Sequence, residues 1–284
     1  MKIPVTAGGF GEAKKKKSRR ERVIPLLPNL FTTGNLFFGL LSIMTSIQLA
    51  TVHAIPEASN EWVYRKFWWA AAFILIAGFL DMLDGKLARI FKSESNFGIS
   101  YDSLSDLVSF GVAPGILIYV WVLLDSGKLG LMAVLFYIVC TALRLARFNV
   151  QSKTVERYNF IGLPSPMAAG LMLSPVLLFS GFKIPSDEAI MWFYLVSAPF
   201  VGLLMVSDVP YWKYPRIRFS GPFNALVVAS IIIAAVITNP EIMLLFLVYL
   251  YCLLGLSFYL IEQLRKKPEI TPEVESNKQP EDNL

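Results

Sequence analysis

The chain has 284 residues, 55% of them apolar and only 17% charged, a balance that excludes an ordinary soluble domain. A net charge of +5 would suit nucleic acid if the basic residues shared one polar face, but they gather at the ends of apolar runs, which sets that partner aside. Cys140 and Cys252 lie inside apolar runs without metal or disulfide spacing, and the lone histidine, His53, removes any mechanism that needs a histidine pair.

Residues 1–28 form a basic segment in which Lys14 to Lys17 are followed by Arg19, Arg20 and Arg22. Such a run beside a membrane span is drawn to anionic headgroups and also sets orientation. Apolar stretches of about 20 residues, enough to cross the hydrocarbon as helix, then recur along the chain. They predict spans near 29–50, 67–91, 99–124, 129–150, 164–182, 189–207, 220–238 and 241–263. Val52-His53-Ala54 resembles a signal-peptide cleavage site, but the apolar run before it is too long, so the first span is expected to stay. Pro164 and Pro166 suit the first turn of the fifth span. Residues 264–284 are too polar to bury and read as a disordered tail. The fold expected is all-α: a polytopic membrane bundle of about eight helices over 29–263.

With the amino terminus placed in the cytoplasm, 22 of the 26 Lys and Arg residues fall on that side. Arg65, Lys66, Lys128 and Lys183 fall on the other. That asymmetry in short loops predicts both termini to be cytoplasmic.

At the cytoplasmic ends of spans two and three stand Asp81, Asp84, Lys86, Arg89, Asp102 and Asp106. A carboxylate near mid-span costs about 2.5–3.5 kcal/mol on insertion scales, so four need a wet cavity or a metal. Asp81, Asp84, Gly85 and Ala88 share one helical face, and Asp102 and Asp106 are four apart on the next helix. Two helices can therefore aim four carboxylates at one point. Like charges so close need a counter-ion, and oxygen ligands suit a hard divalent cation such as Mg²⁺ or Mn²⁺. Two such ions suit in-line displacement at phosphorus. Gly85, Ala88 and Gly98 leave room for a nucleotide beside the backbone, or are ordinary small-residue helix packing. Arg89 offers a fork for a diphosphate.

The string Asp81-x2-Asp84-Gly85-x2-Ala88-Arg89-x8-Gly98-x3-Asp102-x3-Asp106 matches at all eight positions the signature of the CDP-alcohol phosphotransferase family, which the chain resembles. The resemblance implies a membrane bundle whose site opens to the cytoplasm, in a prokaryotic cell (inner) membrane and as a homodimer. By the same resemblance Asp81, Asp84, Asp102 and Asp106 hold two metals, and Asp106, assisted by Asp102, takes the acceptor's proton. Asp84, Gly85, Ala88, Arg89 and Gly98 contact the CDP moiety, and CMP departs.

Other stretches resemble the branch that joins CDP-diacylglycerol to L-serine. These are Leu27-Pro28-Asn29-Leu30, the run from Ala142 to Asn149, Gly162-Leu163-Pro164-Ser165-Pro166, and Leu204-Met205-Val206-Ser207; the likeness covers roughly residues 23–220. Arg144 and Arg147, with Asn149, are candidates for binding an anionic acceptor, or the arginines are anchors that snorkel to headgroups. Glycerol 3-phosphate, inositol phosphate and choline remain open as acceptors. A transporter or ion channel is the rival from another class, because intramembrane acids also mark ion pathways and Gly111 and Pro114 suit a broken helix.

Overall fold

The computed structural model describes residues 26–52, 60–91, 96–151, 162–179, 187–209, 211, 226, 230 and 238–265. The described residues are helical apart from short connections, with no strand among them. The basic segment before residue 26, the expected span at 220–238 apart from three of its residues, and the polar tail beyond residue 265 lie outside them.

Helix α1 spans Leu26–Val52 and α2 Asn60–Phe91. A third rod begins as α3 (Asn96–Asp106) and continues through wide π-helical turns at Leu107–Val112 into α4 (Ala113–Ile118). Further wide turns at Tyr119–Leu123 and a 3₁₀ turn at Leu124–Ser126 finish it. Then come α5 (Gly127–Gln151), α6 (Ser165–Phe179), α7 (Asp187–Val206) and α8 (Pro240–Arg265). The second rod starts seven residues earlier than the expected 67, because Asn60 to Lys66 continue the helix past the apolar run.

Among the described residues, five helical stretches are long and apolar enough to cross a bilayer: Asn29–Thr51, Glu61–Leu87, Phe97–Val150, Glu188–Val206 and Pro240–Ile261. α6 is apolar but shorter, at 15 residues. The 54 residues of Phe97–Val150 are a hairpin of two antiparallel arms. Asn149 bonds Ser103, Gly111 packs on Thr141, and Gly115 packs on Val134 and Ile138, so partners descend one arm as they climb the other. The reversal falls at Gly127, whose φ of 59° is readily reached only without a side chain.

The remaining rods are oriented by their contacts in the same way. α1 and α2 are antiparallel, since Thr32 meets Asp84 while Phe38 meets Phe73. α1 and α3 run parallel, because Ser105 Oγ donates to the Thr32 carbonyl (3.1 Å) and Ser109 Oγ to that of Asn35 (3.0 Å). α6 starts where α7 ends: Gly162 N–H donates to Val209 O at 2.9 Å and Leu163 N–H to Leu204 O at 3.1 Å. A side chain at Gly162, whose φ is 87°, would collide with the Met205 carbonyl. α8 starts at the opposite end, where Glu241 accepts from Trp68 Nε1. One end of the bundle thus gathers the starts of α1, α3 and α6 with the ends of α2, α5, α7 and α8.

Gly111 and Pro114 deform the third rod without breaking it. Pro114 has no N–H for the carbonyl four residues back, that of Phe110, and the fully buried Tyr137 supplies a hydroxyl donor at 2.7 Å. Pro175 in α6 leaves Leu171 in the same position, and Ser174 Oγ points at that carbonyl from 3.4 Å. Tyr137→Phe should lower stability by about 1–2 kcal/mol. Unfolding of the detergent-solubilised protein reads this out, and an unchanged midpoint would mean that Phe110 O finds another donor.

Candidate active site

Three helices build the acidic end of the bundle. α2 carries Asp81 and Asp84 one turn apart, and α3 carries Asp102 and Asp106 one turn apart. Asp81, Asp102 and Asp106 each present an oxygen, and these lie within 4.8 Å of one another. Asp84 is buried beside them and turned to α1, where its Oδ2 accepts from Thr32 Oγ1 at 2.7 Å. Asp106 is also buried, and its Oδ1 accepts from Asn35 Nδ2 at 3.1 Å.

Among the described residues no Lys or Arg forms an ion pair with these four carboxylates; the pair that is formed, Arg147–Asp208, joins α5 to the residues after α7. Asp102 Oδ1 is buried and has no hydrogen-bond partner among the described residues. Converging carboxylate oxygens, one of them unmatched and none of them in an ion pair among the described residues, are a donor set suited to a hard divalent ion. Asp81, Asp102 and Asp106 therefore fit a metal, with Asp84 one turn away.

Of the signature's small residues, Gly85 borders open space. Gly85 is exposed, and a side chain there would meet nothing within 4 Å, so tight helix packing does not explain it. Ala88 lies on α2 in the following turn, and Gly98 in the first turn of α3. Arg89 is exposed, with Nε donating to Gly85 O at 2.9 Å, and its guanidinium thus stays beside that open stretch.

The candidate acceptor residues separate. Arg144 is directed inward: Nη1 donates to Ser165 Oγ at 3.0 Å, Nε is buried with no partner among the described residues, and the charges of Asp106 and Asp81 act on it. Arg147 instead ties down the end of α7, donating to Val206 O at 3.1 Å and to Asp208 at 2.5 Å. Asn149 bonds Ser103 at 2.9 Å, next to Asp102. Three of the distant strings noted in the sequence, around Arg144, Ser165 and Val206, are thereby joined into one wall.

Sequence reasoning passed over the contribution of α1. Thr32, Asn35, Gly39, Ser42, Ser46 and Leu49 are its buried positions, at alternating spacings of three and four, while Phe37, Leu40, Met44 and Ile47 face outward. A polar and small stripe inside an apolar helix, with the bulky residues outside, is the signal that could have found it. A side chain at Gly39 would collide with Ser109, so the close approach of α1 to the third rod depends on that glycine. One turn deeper than Asp81 and Asp106 lies an apolar cavity of about 170 Å³, lined by Ile74, Gly78, Phe110, Ala169, Gly170 and Leu173 among others.

These features define a membrane-embedded acidic site, and the sequence comparisons give its class. The profile of the CDP-alcohol phosphatidyltransferase family matches residues 25–200, and the chain belongs to that family as an integral membrane protein. It is 31% identical over 237 residues to the CDP-diacylglycerol–serine O-phosphatidyltransferase of Helicobacter pylori, covering 83% of this chain and 91% of that one. The enzymes of the same name from Mycobacterium leprae and Methanocaldococcus jannaschii are 33% identical over 248 residues and 35% over 189. Those alignments cover 84% and 66% of this chain and 75% and 83% of the relatives.

Proposed function

We propose that this chain transfers the phosphatidyl group of CDP-diacylglycerol to L-serine, giving phosphatidylserine and CMP. The observation that carries the reading is the convergence of Asp81, Asp102 and Asp106 with no ion pair to Lys or Arg among the described residues, in a chain whose relatives are named for this reaction.

Asp81, Asp84, Asp102 and Asp106 are the ligands for Mg²⁺ or Mn²⁺, which when bound supplies neutralising charge at the diphosphate. Gly85, Ala88 and Gly98 leave the backbone open to the CDP moiety, and Arg89 offers it a guanidinium. Asp106 accepts the proton of the serine hydroxyl. The serine oxygen then bonds the phosphorus that carries diacylglycerol, and the bond from that phosphorus to the CMP oxygen breaks. Asp102, one turn before, shares in holding the reacting centre. Arg144 meets the serine carboxylate through its unmatched Nε, a charge-assisted contact for which a burial-tolerant guanidinium is suited. Arg147 and Asn149 support the acceptor side indirectly, through α7 and α3. The apolar cavity beneath the acids can receive part of an acyl chain, since the diacylglycerol must leave the phosphate toward the hydrocarbon.

The charge asymmetry of the loops supports a cytoplasmic site and cytoplasmic termini. α7 ends at the acidic end and α8 begins at the other, which favours a further crossing between them and the count of about eight. A homodimer in a prokaryotic inner membrane fits the family.

Asp102→Ala should abolish metal-dependent CMP release while the unfolding midpoint stays near that of the parent, as expected for a lost ligand. Undiminished release would remove the metal assignment. Arg144→Ala should raise KM for serine by roughly 10- to 150-fold, the loss of one charge-assisted contact. A rise in KM for the lipid in its place would put that guanidinium on the other substrate.

A further inference from the structure

Asn35 lies on α1, outside the eight-position signature, and is fully buried. Its Nδ2 donates to Oδ1 of Asp106 at 3.1 Å. A carboxylate offers only acceptors, so the amide has to turn its NH₂ toward it. The backbone at Asn35 is fixed from the same rod that carries Asp106, because Ser109 Oγ donates to the Asn35 carbonyl and Ser105 Oγ to that of Thr32. Amide and carboxylate are thus held in register by three bonds between two parallel helices.

Packing alone does not account for an amide at this place. Its own Oδ1 is buried and has no hydrogen-bond partner among the described residues. A leucine of similar size would fill the space without burying an unmatched oxygen. The amide is retained at a cost, and the group it serves is Asp106.

We propose that Asn35 is a positioning residue for the transfer: it fixes the plane of the Asp106 carboxylate so that the serine hydroxyl meets a correctly turned acceptor for its proton. A carboxylate on one rotatable bond samples many orientations, and a fixed donor removes that freedom before substrate arrives. Groups that orient reactive carboxylates and ligands in this way are commonly worth 10- to 100-fold in activity. Thr32 holds Asp84 by the same device, so α1 braces the acids on both neighbouring helices. The inference rests on Asp106 acting as the base, as proposed above.

The test compares Asn35→Leu and Asp106→Asn with the parent enzyme in detergent, using CDP-diacylglycerol, serine and Mn²⁺. Asn35→Leu should lower kcat about 10- to 100-fold, with KM for each substrate changed less than about twofold and the unfolding midpoint within a few degrees. Parental kcat in Asn35→Leu, with Asp106→Asn inactive, would overturn the positioning role and leave the base intact. An active Asp106→Asn would overturn the base reading itself, and the positioning role with it. Raised KM for both substrates together with a large fall in the midpoint would mark Asn35 as merely structural, which also overturns the proposal. Should Asn35→Leu not fold, Asn35→Gln and Asn35→Met, matched in length and differing in the donor, decide it. Gln exceeding Met in kcat by about tenfold supports the role, and equal rates reject it.

Discussion

Everything at the working end of this bundle follows from negative charge held close together at the edge of hydrocarbon. Carboxylates from two helices bring oxygens within 4.8 Å, and no Lys or Arg among the described residues pairs with them. Such a group is costly in a protein interior unless a cation is shared or a proton taken up. A hard divalent ion held there would offset that cost, and it would suit the phosphate oxygens of a nucleotide-activated lipid as well as the carboxylates.

The rest of the bundle serves to hold those side chains still. α1 contributes no acid, yet Thr32 and Asn35 each donate to one, and Gly39 lets the helix come close enough to do so. The third rod bends through wide turns just past Asp106, and the carbonyl left by Pro114 is answered from α5 by Tyr137. On the far side the start of α6 is stitched to the end of α7 by backbone bonds, with Arg147 clamping the seam. Arg144 is left facing the acids with a buried donor unspent. A site divided in this way can hold an anionic donor on one side and an anionic acceptor on the other, with the reacting phosphorus between them.

Much of this could be read before any coordinates. The acids, their helical spacing and the small residues beside them are regular enough to point to the reaction class that the family match bears out, because hydrophobic length and charge position are written locally. Helix ends were less legible: α2 starts at Asn60 because a helix continues beyond the hydrocarbon, where apolar length carries no signal. Asn35 and Thr32 were missed because single polar residues in an apolar helix usually serve packing, and only the partner across the interface shows what they hold. Arg144 and Arg147, three residues apart on one helix face, look equivalent in the sequence, and only the tertiary partners separate them: Ser165 for the first, Val206 and Asp208 for the second. Asp84 differs from its neighbours for a related reason: Thr32 claims one of its oxygens, a fact that belongs to tertiary contact and not to the motif.

The most direct test of the central claim is anomalous diffraction from crystals of the protein grown with Mn²⁺ and a CDP-linked lipid. A manganese peak bounded by the oxygens of Asp81, Asp102 and Asp106 and in contact with the nucleotide's phosphates is the expected result. Nucleotide density in the cleft with no manganese among those three carboxylates would contradict it.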